Sequence, residues 1–230
     1  MKQDINNHVL ITASSKGLGK AMAIEFASNG FNIIINGRNK DKVENTYNEI
    51  ININSKKIKC ETVIGDLRSN STINKLYKAS IGKIAILINN AAIPCYGTSL
   101  DKMTNSQIYE SIETNLIAPI KLTRKIYPLL KEQCYGSIIN INSIVGKEPK
   151  KYRSVHSAAK WGLKGFTKSL RIEASRYNVD LINIYPSRIK TIDDFSYGLQ
   201  PNIVASEIFR SYSSSILEKI IDGRPDEFKP

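Results

Sequence analysis

Short apolar runs rich in β-branched residues alternate along this chain with longer segments of helical spacing. HVLIT at 8–12 reads as a buried parallel strand. The next segment switches period, with Met22, Ile24, Phe26 and Ala27 in the turns after Gly19 and a stop at Gly30. FNIIING is a second strand, KIKCETV a third, IAILINNAA a fourth, GSIININ a fifth and DLINIYP a sixth; ILEKIID ends the series as a short seventh. Helical patterns fill the intervals at 41–53, 71–80, 105–132 and 153–177, and again in IVASEIFRSYSS. Pro119, lacking a backbone donor, should bend the helical region it falls in, which also contains Pro128. Strands and helices alternating at this spacing predict an α/β fold with a doubly wound, mostly parallel sheet.

At 230 residues the chain suits one domain, large enough to bury a core without disulfides or metals. Cys60, Cys95 and Cys134 are scattered, with no Cys-x-x-Cys pair, and read as reduced thiols. No stretch has the length and apolarity of a signal peptide or a membrane span, so a cytoplasmic protein with no membrane partner is expected. The net charge of +12, from 33 basic and 21 acidic residues, raises the question of nucleic acid. No helix-turn-helix, zinc-finger or aromatic-basic signature accompanies it, and no nucleic-acid partner is expected.

Chemistry concentrates at two places. TASSKGLG, at the first strand-to-helix junction, puts Gly17 and Gly19 where a backbone turns tightly and helix N–H groups favour an anion. Two glycines in a turn are a weak signal alone, since Gly-x-Gly-x-x-Gly is absent. The second place runs from Asn142 to Lys160: Ser143 ends the fifth strand, His156 follows thirteen residues later, and Lys160 four after that.

Taken together these segments resemble the short-chain dehydrogenase/reductase family, in its compact form. Thr12, Gly17 and Gly19 align with its Thr-Gly-x-x-x-Gly-x-Gly element, with Ala13 in place of the first glycine. That substitution is tolerable if the φ of Ala13 is negative. Asp66 matches an adenine-contacting aspartate, Asn89 to Ala92 match Asn-Asn-Ala-Gly without its glycine, and Asn115 in ETNLIAP matches an asparagine that holds a lysine-linked water. Pro186 in NIYPSRIKT matches the Pro-Gly turn beside the nicotinamide, with Ser187 for glycine. The resemblance covers residues 8 to about 192. It implies a Rossmann-like single domain, with a cofactor half over about 1–110 and a catalytic half over about 111–230.

What the resemblance implies for chemistry is exchange between a carbonyl and a hydroxyl on a small or carrier-bound substrate. Serine polarises the substrate oxygen, a tyrosine moves the proton, and lysine binds the nicotinamide ribose. Here Ser143, Lys160 and Asn115 keep their places, and His156 stands where the tyrosine would be. A neutral imidazole can accept a proton from an alcohol near pH 7, whereas the nearby lysine disfavours the imidazolium that reduction needs. Tyr152, four residues earlier, is a weaker substitute because its spacing to Lys160 doubles, and Trp161 is expected to pack in the core. The other class of function is a cofactor-binding pseudoenzyme with a regulatory or scaffolding role. Position 156 is the feature that separates the two.

Cofactor binding is expected of Thr12, Ser14, Ser15, Lys16, Gly17, Leu18, Gly19, Arg38, Asp66, Leu67, Asn90, Ala91, Ala92, Lys160, Pro186 and Ile189. The cofactor should be NADP (NADPH), because the second strand ends in Asn36-Gly37-Arg38 with no carboxylate for the adenine ribose and with an arginine for a 2′-phosphate. Lys16 adds a cation. No metal site is expected. Lys147, Lys150, Lys151, Arg153, Arg188 and Lys190 flank the expected mouth and motivate the hypothesis of an anionic small-molecule substrate. A homodimer or homotetramer is expected through the two long helical regions, with small residues Ala158, Ala159, Gly162 and Gly165 on the second.

Overall fold

In the computed structural model, residues 7–53, 58–190 and 198–225 are described; Lys57, the expected start of the third strand, and Ile192, the expected end of the resemblance, lie outside them. Seven strands form one sheet: β1 (His8–Ile11), β2 (Asn32–Gly37), β3 (Cys60–Ile64), β4 (Ile84–Asn89), β5 (Gly136–Ile141), β6 (Val179–Pro186) and β7 (Glu218–Ile221). Their order is β3-β2-β1-β4-β5-β6-β7, and every pairing is parallel.

Successive strand residues face opposite sides, which explains why continuous apolar runs serve two cores. Val9, Ile11, Ile33 and Ile35 join α1 (Gly17–Ser28), α2 (Lys40–Asn52) and α7 (Pro201–Ser213) in one layer. Leu10, Ile34, Leu87 and Ile138 join α3 (Asn70–Ser80), α5 (Ala118–Glu132) and α6 (Ser154–Ala174) in the other. Full burial of each such side chain contributes roughly 1.5–3 kcal/mol. No helix among the described residues is long and apolar enough to cross a membrane.

The helical region before β5 runs without a break from 105 to 132 and changes its winding just before Pro119. After α4 (Asn105–Ile112) comes a π-helical turn over Glu113–Ile117, and α5 continues directly from it with Pro119 as its second residue, so the change of winding falls where the proline lacks a donor. Pro128 lies inside α5 without ending it. Caps distinguish the remaining starts. Asn39, Ser69 and Thr104 side chains accept from the first turns of α2, α3 and α4, while α1 and α6 begin with no side-chain cap. The chain runs outward from β1 in one direction and from β4 in the other, so a crevice opens at the carboxyl ends of these adjacent strands.

Candidate active site

The turn between β1 and α1 is built by buried polar groups. Ser14 Oγ donates to Ile11 O at 2.8 Å and accepts from Asn36 N at 2.9 Å. Thr12 Oγ1 accepts from Asn90 N at 2.8 Å and Ala91 N at 3.0 Å, tying the ends of β1 and β4 together. The side chains of Thr12 and Ser14 therefore shape the turn from behind. Gly19 has no room for a Cβ, which would come 2.3 Å from Ala13 O. Ala13 itself has φ 51°, so the condition of a negative φ, under which the substitution is readily tolerated, is not met. Alanine here holds a left-handed conformation that glycine adopts freely, at a cost of about 1–2 kcal/mol. With no capping side chain, the N–H groups at the start of α1, from Gly17 through Leu18, remain available to an anion.

At the end of β2, a Cβ on Gly37 would lie 2.7 Å from both Ser15 Oγ and Val43 Cγ2, so no side chain, acidic or otherwise, fits there. Arg38 is two-thirds exposed, and Lys16 is exposed across the same turn. Asp66 accepts from Arg68 Nε and Nη2, lies 3.8 Å from Arg38, and is held below the usual carboxylate range chiefly by Arg68. Leu67 is buried in the α3-side core.

One cavity of about 330 Å³ lies beyond this turn. Leu18, Asn90, Ala92, Pro186 and Ile189 line its inner side, and Ser143, His156 and Lys160 share it. The parallel pairing of β5 with β6 fixes this meeting, because Asn142 N donates to Ile184 O at 2.8 Å and carries Ser143 past the sheet edge. Asn142, which the sequence reading left without a role, also donates from Nδ2 to Lys160 O at 3.1 Å, and Lys160 Nζ donates to Ile141 O at 2.9 Å. Two bonds thus clamp Lys160 to the end of β5. Asn115, in the π-helical turn, uses Nδ2 on Ile93 O and Ser111 O and accepts from Ile93 N, holding the loop after β4 rather than lining the cavity.

His156 and Lys160 lie one turn apart on the buried face of α6, 7% and 2% exposed. Burial first, then the charges of Lys160 and Arg153, push the imidazole down to about 4. Burial alone brings the Lys160 ammonium down to about 8. His156 is therefore neutral at pH 7, and its Nδ1 is buried with no hydrogen-bond partner among the described residues. Among the described residues, Ser143 Oγ accepts only a long contact from Val145 N, at 3.4 Å.

The mouth differs from expectation in several side chains. Lys150, Arg153 and Arg188 line it. Lys147 instead lies over the Tyr185 ring and 3.5 Å from Glu218, Lys151 lies over the Tyr152 ring, and Lys190 is outside the lining. Tyr152 precedes α6 with φ 59° and half its surface exposed, so it is not one helical turn from His156. Trp161 does not pack in the core. It is 46% exposed, donates Nε1 to Val145 O and carries Lys164 over its ring. The sequence reading missed Tyr96 and Arg224, which also line the cavity; Arg224 arrives from beyond β7, where no local pattern marks it.

Comparison with known proteins gives a consistent result. A family model described as short chain dehydrogenase matches residues 7–194. Dehydrogenase/reductase SDR family member 7B of Xenopus laevis is 33% identical, over 94% of this chain and 73% of that protein. Acetoacetyl-CoA reductase of Paracoccus denitrificans is 31% identical, over 79% of this chain and 73% of its own. The short-chain dehydrogenase from Sphingobium yanoikuyae, solved in complex with NADPH, superposes with a TM-score of 0.85 at 22% identity, over 93% of this chain and 87% of that one. This last likeness is one of fold.

Proposed function

This chain belongs to the short-chain dehydrogenase family, and from that premise we propose an NADP-dependent oxidoreductase that interconverts a hydroxyl and a carbonyl, with His156 as the proton carrier. The reading rests on one observation: a buried imidazole, neutral at pH 7, shares a single cavity with Ser143 and Lys160.

The residues present fit a nicotinamide dinucleotide. The uncapped start of α1 suits a diphosphate, Arg38 beside side-chain-free Gly37 suits a 2′-phosphate, and the buried Lys160 ammonium suits ribose hydroxyls. Leu18, Asn90, Ala92, Pro186 and Ile189 would line the nicotinamide end. When bound, the nicotinamide would supply hydride exchange with the substrate carbon.

The chain's own residues handle the proton. Ser143 would donate a hydrogen bond to the substrate oxygen, and neutral His156 would accept the hydroxyl proton during oxidation. Burial first, then the charge of Lys160, keep the imidazole neutral. Reduction needs the imidazolium, and with the ring at about 4 only ~10⁻³ of it carries a proton at pH 7. At neutral pH the ring is therefore in the protonation state that oxidation starts from.

A second reading, a cofactor-binding protein without turnover, draws support from the unpartnered Nδ1. A working imidazole usually has its second nitrogen fixed by a hydrogen bond that sets tautomer and direction. Calorimetric binding of NADPH, measured beside turnover with a panel of alcohols and activated ketones, separates the two. Binding with turnover that His156→Ala removes supports the enzyme; binding with no turnover in either protein supports the second reading.

Self-association belongs to the same proposal. Ile120, Tyr127 and Phe166 line a groove between α5 and α6, and Trp161 and Ile172 stand exposed along α6. These surfaces suit a homodimer or homotetramer. A monomer-sized particle in light scattering at micromolar concentration would contradict it.

A further inference from the structure

Among the described residues, five basic side chains and no acidic one line the cavity that holds His156. Their partners divide them. Lys160 is clamped to the end of β5. Arg224, with its side chain 5% exposed, donates from Nε and Nη2 to Asp222 and from Nη1 and Nη2 to Glu148, so its donors are largely used and both nearby carboxylates are consumed. Arg188 belongs to the Pro186 side. Lys150 and Arg153 also line the cavity, and neither makes an ion pair among the described residues.

The geometry around these two is organised rather than merely solvated. Gly97 N donates to Tyr152 O at 3.2 Å, joining the loop after β4 to the residue before Arg153. That bond holds the Arg153 guanidinium over the Tyr96 ring at 4.5 Å, a stack that fixes the plane of the guanidinium and leaves its N–H edge for a planar anion. Arg153 is also the N-cap residue of α6, a 21-residue helix with no capping side chain and no acidic residue in its first turn. The positive end of the helix therefore adds to the two cations. Burial first, then the charges of Arg224 and Arg153, lower the Lys150 ammonium, with Glu148 and Asp222 acting the other way to a smaller extent.

We propose that Lys150 and Arg153 form a subsite for the carboxylate or phosphate of an anionic substrate, whose hydroxyl- or carbonyl-bearing carbon then lies toward Ser143 and His156. The inference deepens the oxidoreductase reading and depends on it for the second half only. It assigns a substrate class: small oxo or hydroxy compounds carrying an acidic group.

The test is calorimetric titration of the full chain, saturated with NADPH and at constant ionic strength, with inorganic phosphate and with malonate as probes. Native protein should bind at least one. Lys150→Met and Arg153→Gln should each weaken that binding by about tenfold or more, while Lys151→Met leaves it unchanged. Tighter phosphate than malonate assigns a phosphorylated substrate, and the reverse a carboxylate. Because Arg153 opens α6, the charge reversal Lys150→Glu serves as a second probe and should abolish binding with the fold intact by circular dichroism. Absence of binding to the native protein, or equal weakening by Lys151→Met, would overturn the subsite. Turnover of uncharged ketones that Lys150→Met leaves unaltered, with no anion binding, would sink the subsite alone. Variant-sensitive anion binding without any turnover would uphold the subsite and sink the oxidoreductase reading.

Discussion

His156 and Lys160 sit one helical turn apart on α6 with both side chains buried at the base of the same cavity, and the lysine is the foremost charge, after burial itself, that keeps the imidazole neutral. The lysine's position is fixed by Asn142 and Ile141 at the end of β5. Sheet edge, helix face and protonation state are thus one arrangement.

Stability should record that neutrality. The folded imidazole, at about 4, lies below its ordinary 6.5, so the unfolded chain binds more protons between these values. The contribution of His156 is fully present above pH 6.5 and is lost as pH falls toward 4, by on the order of 3 kcal/mol at most. His8, lowered mainly by burial, acts in the same sense. Urea midpoints should rise from pH 4.5 to 6.5, and His156→Gln should flatten much of that slope; an unchanged slope would contradict the buried neutral ring.

Cofactor choice should turn on Arg38. Arg38→Ala should weaken NADPH by about tenfold or more and leave NADH within a few-fold, because only the 2′-phosphate is lost as a partner. Calorimetry with both cofactors checks it. Native protein that binds NADH as tightly as NADPH would contradict the assignment.

Ala13→Gly should stabilise the protein. Relief of the left-handed strain, about 1–2 kcal/mol, is offset by the roughly 0.5–1 kcal/mol of extra chain entropy that glycine loses on folding. A net gain of up to about 1 kcal/mol is expected in urea unfolding, and a loss would show that the alanine methyl packs usefully.

Arg224→Met should destabilise by about 1–3 kcal/mol, since the partly exposed Glu148 and Asp222 would lose their shared cation. Asp222, held at about 2 chiefly by Arg224, contributes stability above pH 3.8 that is lost as pH falls through 2. Adding Asp222→Asn and Glu148→Gln to the variant should recover a large part of the loss. Midpoints that do not move would mean the triad contributes nothing.

Much of this was legible in the chain. The seven strands followed from apolar runs of strand length, and Ser143, His156 and Lys160 could be placed together because their intervals resemble the catalytic segment of the short-chain dehydrogenase family. What stayed hidden depends on contacts distant in sequence. Nothing in alanine's identity signals φ 51° at Ala13, which the surrounding turn imposes. Lys147 points away from the mouth because Glu218 and Tyr185 draw it there, and Trp161 faces outward because Val145 O accepts its N–H. Arg224 and Tyr96 reach the cavity from segments with no periodic signal, and only tertiary packing brings them in.

The most direct measurement is the pH dependence of turnover in both directions, with native protein, His156→Ala and His156→Tyr. Native oxidation should hold level from pH 7 down toward 5 and fall only near 4, while reduction should climb about tenfold for each unit of acidification between pH 7 and 5. His156→Ala should remove most of both, by ~10²- to 10⁴-fold, and His156→Tyr should raise reduction at neutral pH. Strong native turnover that alanine leaves untouched, or reduction insensitive to pH over that range, would contradict His156 as the proton carrier.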